Sequence, residues 1–415
     1  MLLKTGALLA LSTLAPLALV ACGTEESSRP SSDPSSGATA PQATEVKAAS
    51  PRLAMTYDGG VLVLDAKSGE VLLEEELDGF RRLSPAGDER HLLISGAGGW
   101  TALDTGAWTD EHGDHGHSWT IDPRLTDFTV AAEEPGHVVP HHGRTTLFDD
   151  GTGEITAFDP ADLAELDELD GKPELASFQA EEAHHGVAVQ DGHGNLVLTV
   201  GDHDARSGIR VVTAAGAELA SSDECPGVHG EAFAGEVALF GCEDGVPLLD
   251  GTEITKVDAP DAYGRIGNQA GHESSPYVLG DYKVDADAEL ERPTRISVID
   301  TRQASLRLVD LPSSYTFRSL GRTADGDGLV LGTDGRLHVI DMRAAKVIRS
   351  IPVTAAWREP MDWQQARPLL EVVGDVAYVT EPATNEVHVV DLAKLAVVDT
   401  LTVPHTPVEL RGVSG

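Results

Sequence analysis

A chain of 415 residues with a formal net charge of −38 is long enough for one large or two ordinary domains, and nucleic acid or an anionic membrane surface would repel it. Hydrophobic residues make up 41% of the chain, enough for a sizeable core, while aromatics reach only 5% and glycines number 43, a balance that favours many turns over long helices. The acidity suits a well-hydrated protein that attracts cations, or simply follows the composition of its host.

The N-terminus reads as an export signal. Residues 1–21 carry one early Lys4 and an apolar run interrupted by Ser12, Thr13 and Pro16, too short for a membrane span. The run ends Leu19-Val20-Ala21-Cys22, which resembles a bacterial lipobox and predicts lipidation of Cys22 after cleavage; the other reading is a soluble secreted protein with a chance cysteine. Residues 22–50 are rich in Ser, Pro, Ala and Thr and read as a lipid-anchored, disordered tether. The expected place is therefore extracytoplasmic, on the outer face of the cell membrane. Cys225 and Cys242 are then the remaining cysteines, and an even pair in an exported protein predicts a disulfide.

From residue 51 to 415 the chain repeats. The stretches 60–77, 295–311, 336–353 and 386–403 each show an alternating strand ending in Asp, a short polar turn and a second alternating strand. Weaker copies end at Asp104, Asp159 and Asp250, and another spans 208–222. Eight units at roughly 40–55-residue spacing predict an all-β propeller of eight four-stranded blades, with seven as the alternative. The N-terminal stretch 52–60 reads as a second strand with no first strand before it and the C-terminal 405–415 as a first strand with no second after it, so their pairing is expected to close the ring. The one helix-like stretch is 160–169.

Histidines fall in register on this repeat. His142, His185, His229 and His272 follow one another at spacings of 43, 44 and 43 residues, at what reads as one position in four consecutive blades. The first strand of a propeller blade lines the central channel, so equivalent side chains converge there. Three or four neutral imidazoles suit Zn²⁺, whose usual shell is tetrahedral. Glu231 and Glu273 stand near enough to complete the shell or to orient a ring. A single such histidine would more simply hydrogen-bond backbone, but four in register favour a shared ion. His184, by strand alternation, faces away from His185. A second cluster, His112, Asp114, His115 and His117, is separated by glycines and predicts a pliable outer loop that contacts metal with lower affinity. His137 and His141 are the remaining nearby donors and read as bridges between that loop and the channel; His193 reads as a turn residue, and His91, His338, His388 and His405 as structural or surface residues. The segment 357–370, with Trp357 and Trp363, reads as a lid, a partner surface or a long capping loop.

No phosphate loop, nucleophile elbow, dinucleotide fingerprint or H-E-x-x-H is present. The histidine starts Pro140-His141-His142-Gly143, Ala183-His184-His185-Gly186 and Val228-His229-Gly230, the Cys225/Cys242 pair and the His-Gly-Asp-His-Gly-His run together resemble the AztD family of zinc metallochaperones. That resemblance implies an exported, non-enzymatic β-propeller that binds zinc and passes it to the solute-binding protein of a zinc ABC transporter. A monomer, held to the membrane only through its lipid, is the expected form. A lipobox departs from a freely diffusing chaperone, and Glu273 stands where the other repeats place Gly. The competing readings are a metal-dependent hydrolase or lyase and a metal-free interaction scaffold. Imidazole donors alone do not separate zinc from copper or nickel.

Overall fold

The computed structural model describes residues 42–113, 115–166 and 171–415. The expected signal peptide, the lipidation site Cys22, the tether as far as residue 41, and Asp114 lie outside the described residues. Eight sheets have four antiparallel strands each and a ninth has three. Blade 1 is built from both ends of the propeller: Glu409–Val413 pairs antiparallel with Arg52–Tyr57, and Gly60–Asp65 and Val71–Glu76 follow. Blades 3 to 8 each use four consecutive strands in chain order.

The core explains why this arrangement closes. It divides into eight apolar clusters, one between each pair of neighbouring blades. The cluster of Leu53, Met55, Leu62 and Leu64 with Leu369, Tyr378, Val387 and Leu401 joins blade 1 to blade 8. Each four-stranded sheet has two faces, and in a ring both are covered by neighbours, so no blade leaves a large apolar face in water. The expected eight-bladed propeller, sealed by pairing of its terminal strands, is what the chain forms.

The repeated Asp has a local cause. Asp65, Asp300, Asp341 and Asp391 end the third strands and accept backbone N–H groups from the turns that follow. Four residues later stand Gly69, Ala304, Ala345 and Leu395, all in the left-handed region. The turn geometry is thus repeated even where the residue is not glycine.

Two details differ from expectation. Residues 160–165 form a short 3-10 helix, Pro160–Glu165, capped by Asp159, in place of the longer helix-like stretch. The histidine-rich run is not a pliable loop. Ala107–His112 and His115–Thr120 form a β-hairpin inserted between the third and fourth strands of blade 2, and Thr44–Val46, within the stretch read as tether, adds a third strand to it. Neither strand alternates apolar with polar residues, so period 2 gave no signal here. No helix among the described residues is long and apolar enough to cross a membrane.

Candidate metal centre

Three consecutive blades bring histidines together where their innermost strands begin. His137 lies in Pro135–His141 of blade 3, His185 leads into Ala188–Gln190 of blade 4, and His229 opens His229–Ala234 of blade 5. One ring nitrogen from each lies within 4.8 Å of the others. His185 Nε2 is 3.1 Å from His229 Nε2. Tetrahedral Zn–N bonds of ~2.0–2.1 Å place ligand nitrogens ~3.3–3.4 Å apart, so small movements suffice to seat an ion.

Local backbone features aim these rings. His137 and His229 both sit at β-bulges, between the pairs Pro135–Asp149 and Val138–Leu147 in one case and beside the pair Glu231–Phe240 in the other. A bulge turns a side chain out of strict alternation. Gly230 has φ +69° there, and a Cβ would press on Gln269 and the Gly267 carbonyl. Gly186 serves differently: a Cβ would stand 2.3 Å from the ring of Phe148, so only glycine lets the lead-in pass.

The outer partners fix the tautomers. His229 Nδ1 donates to the Gly267 carbonyl at 2.7 Å, which leaves its Nε2 lone pair facing the cluster. With its proton on Nδ1 toward the Asp150 carboxylate, His185 turns its Nε2 lone pair to the same side, so two acceptor nitrogens 3.1 Å apart face a position that a cation can share. His185 Nδ1 is held by Asp150 Oδ2 at 2.5 Å, an orientation typical of metal-ligating histidines. His137 Nδ1 lies 3.6 Å from Glu231 Oε2, a buried oxygen with no hydrogen-bond partner among the described residues.

Burial, reinforced by neighbouring rings and arginines, pushes His137 well below the usual imidazole range. The same cause, opposed by the hydrogen bond to Gly267, lowers His229 to about 3. Burial raises the Glu231 carboxyl to about 8. The sign for stability follows from His229. Unfolded histidine takes up a proton below about 6.5, whereas the folded ring does so only near 3. The unfolded chain thus binds more protons as pH falls through this window, and stability present above 6.5 is lost. We expect the metal-free protein to lose about 1–2 kcal/mol from this ring between pH 7 and pH 5. Thermal melting across that range should decline less steeply in His229→Gln, and parallel declines would refute the assignment.

The structure brings together two of the four histidines aligned by spacing, His185 and His229, and adds His137. His142 and His272 lie elsewhere, where inner strands end. His142 has φ +48° in the two-residue turn His142-Gly143, and its Nε2 contacts Glu236 Oε2 at 2.7 Å. His272 Nε2 contacts the Ala324 carbonyl at 3.2 Å. Both line a separate cavity of about 760 Å³ together with His141, Glu236 and Glu273, so Glu273 is not at the triad. His141 stacks on Phe233 with ring centroids 3.7 Å apart. His184 is buried, with Nδ1 donating to the Glu182 carbonyl and Nε2 at 2.9 Å from Thr199 Oγ1, a structural role within blade 4. Spacing missed His137 because blade 3 joins its first two strands by a two-residue turn, while blade 4 needs five residues. Counting back from the second strand would have found it: His229 pairs with the fifth residue of Val237–Gly241, and His137 lies opposite the corresponding part of Arg144–Asp149.

On the hairpin, the rings of His112, His115 and His117 lie 5.3–6.4 Å apart, and His117 Nδ1 contacts Glu45 Oε1 at 2.7 Å. They do not form a closed donor set among the described residues. His388 meets Glu381 at 2.7 Å and His338 meets Asp334 at 3.3 Å, equivalent structural pairs in blades 8 and 7. Cys225 and Cys242 form a disulfide with both residues fully buried. Trp363, in the segment between blades 7 and 8, packs edge-on against Phe80 of blade 2 at 5.1 Å.

No family model matches the chain. In sequence it is similar to the zinc chaperone AztD of Citrobacter koseri, 26% identical over 367 residues that make up 86% of this chain and 84% of that protein. Two solved structures of Citrobacter koseri AztD share its fold, the apo form at TM-score 0.76 and 23% identity and the other at TM-score 0.77 and 24%; each comparison covers 88% of this chain and 98% of that one. The dihydro-heme d1 dehydrogenase NirN, in complex with DHE, shares the fold alone, at TM-score 0.56 and 11% identity over 86% of this chain and 74% of that one. Sequence and fold together bear out the resemblance to the AztD family of zinc chaperones.

Proposed function

We propose that this protein is an extracytoplasmic zinc metallochaperone that holds zinc on His137, His185 and His229 and passes it to the solute-binding protein of a zinc ABC transporter. The observation that carries this reading is the convergence of three imidazoles from three blades, two of them with Nδ1 held by a carbonyl and a carboxylate. Neutral donors in a fixed constellation suit Zn²⁺, and three ligands leave a position through which an ion can be exchanged. The AztD of Citrobacter koseri is a zinc chaperone, which supports zinc as the cargo. In this reading the exposed hairpin, with His112, Asp114, His115 and His117, collects ions for the channel. Lipid on Cys22 keeps the monomer at the outer face of the membrane, beside its partner.

The test is direct transfer. Zinc-loaded mature protein is mixed with the metal-free solute-binding protein in the presence of a chelator that captures free zinc. The partner is expected to acquire zinc despite the chelator. Acquisition no faster than the chelator permits would sink the chaperone role. A second reading, metal-assisted hydrolysis, has Glu231 in its favour, a buried carboxyl with a raised pKa beside His137. A carboxyl that retains its proton near neutral pH is a poor base, which favours the first reading.

A further inference from the structure

The channel beside the triad contains a guanidinium with no direct partner among the described residues. A cavity of about 230 Å³ is lined by His137, His229, Glu231, Arg82, Arg318 and Arg411, and burial keeps the Glu231 carboxyl largely protonated near neutral pH. Arg318 pairs with Glu409, and Arg411 pairs with Glu371 at 2.9 Å. Arg82, from Arg82–Pro85 of blade 2, has no hydrogen-bond or ion-pair partner among the described residues, and its side chain is open to the channel. Of three guanidinium groups, two are matched and one is not. Burial lowers the Arg82 pKa, and Arg318 and Arg411 add to this against the opposing charges of Glu409 and Asp150, neither of which pairs with it directly.

A dication on three neutral rings would make this imbalance worse. It would add positive charge to a channel where Arg82 already repels it, and it would still lack a fourth ligand. A single small anion answers both problems. Guanidinium presents parallel N–H donors in a planar fork that matches a carboxylate edge, and each oxygen so held keeps a second lone pair with which it can meet a metal. Asp150 is not available for this, because it already holds His185 and accepts from the Gly186 N–H.

We infer that Arg82 binds a small planar oxyanion of the carboxylate or bicarbonate type, and that this anion supplies the fourth ligand to zinc held on His137, His185 and His229. The inference rests on the proposed metal centre. By linkage, zinc and anion each tighten the other's binding by the same factor, so removing the anion loosens the cargo.

Competitive zinc titration of the mature protein against a chromophoric chelator tests this, in bicarbonate-free buffer and with added bicarbonate or acetate at constant ionic strength, with chloride as control. Either anion is expected to raise zinc affinity by roughly fivefold to a hundredfold in the wild type. The effect should vanish in Arg82→Gln and be reduced in Arg82→Lys, which keeps the charge but loses the fork. The bicarbonate and acetate arms distinguish the two sources. Wild-type affinity independent of both anions overturns the inference, as does an anion effect that survives in Arg82→Gln. Absence of tight zinc binding under every condition instead overturns the metal centre, and this inference with it.

Discussion

Replacing His137, His185 or His229 singly by alanine is expected to weaken zinc binding by more than the ~10–100-fold typical of losing an outer partner, while His142→Ala and His272→Ala leave it unchanged. Each triad ring supplies one of three donors whose nitrogens lie within 4.8 Å of one another. Removing one leaves two protein ligands, too few for a tetrahedral shell. Asp150→Asn keeps the ring of His185 but weakens its anchor, and it should fall within the ~10–100-fold range. His142 and His272 are occupied with Glu236 and the Ala324 carbonyl at the opposite ends of their strands. Zinc titration of the six variants, with melting curves to confirm folding, decides the matter. Loss of binding in His142→Ala with retention in His137→Ala would restore the register inferred from spacing and remove the structural one.

The architecture was legible because it repeats. Eight copies of one strand–turn–strand plan, seven of them with Asp at the turn, set the blade count, and the unpaired terminal strands implied closure. The site was less legible because the same dipeptide, His-Gly, arises from three physical causes. His142-Gly143 is a tight turn with both residues at positive φ. At His185-Gly186 the glycine makes room for Phe148, and at His229-Gly230 it permits a bulge. Equal spacing of these pairs therefore did not mean equal position. His137 carries no following glycine, and only the pairing of first with second strands reveals its depth in the channel. The hairpin was hidden for a related reason: its first strand, Ala107–His112, extends a blade that already had a third strand, and a four-strand period has no place for the insertion.

Removing the disulfide, as in Cys225→Ala/Cys242→Ala, is expected to cost about 3 kcal/mol for a loop of 17 residues in the chain-entropy model and to lower the apparent melting temperature. The effect should reach the metal centre as well. The bond ties the lead-in of the blade 5 inner strand to the end of its second strand, and His229 lies between them. Backbone hydrogen bonds from Cys225 to Ser207 and from Gly227 to Arg206 hold that lead-in against blade 4, and the disulfide sits within the apolar cluster shared by the two blades. Loosening it frees His229 relative to His185, whereas the position of His137 on blade 3 does not depend on it. Zinc affinity should therefore fall in the double variant, and the 3.1 Å contact between His185 and His229 should be the first to loosen. A variant that melts and binds zinc like the wild type would show that packing alone sets the register of the two blades. If the prediction holds, the protein reaches full zinc affinity only after its cysteines have been oxidised, which couples competence of the centre to an oxidising compartment.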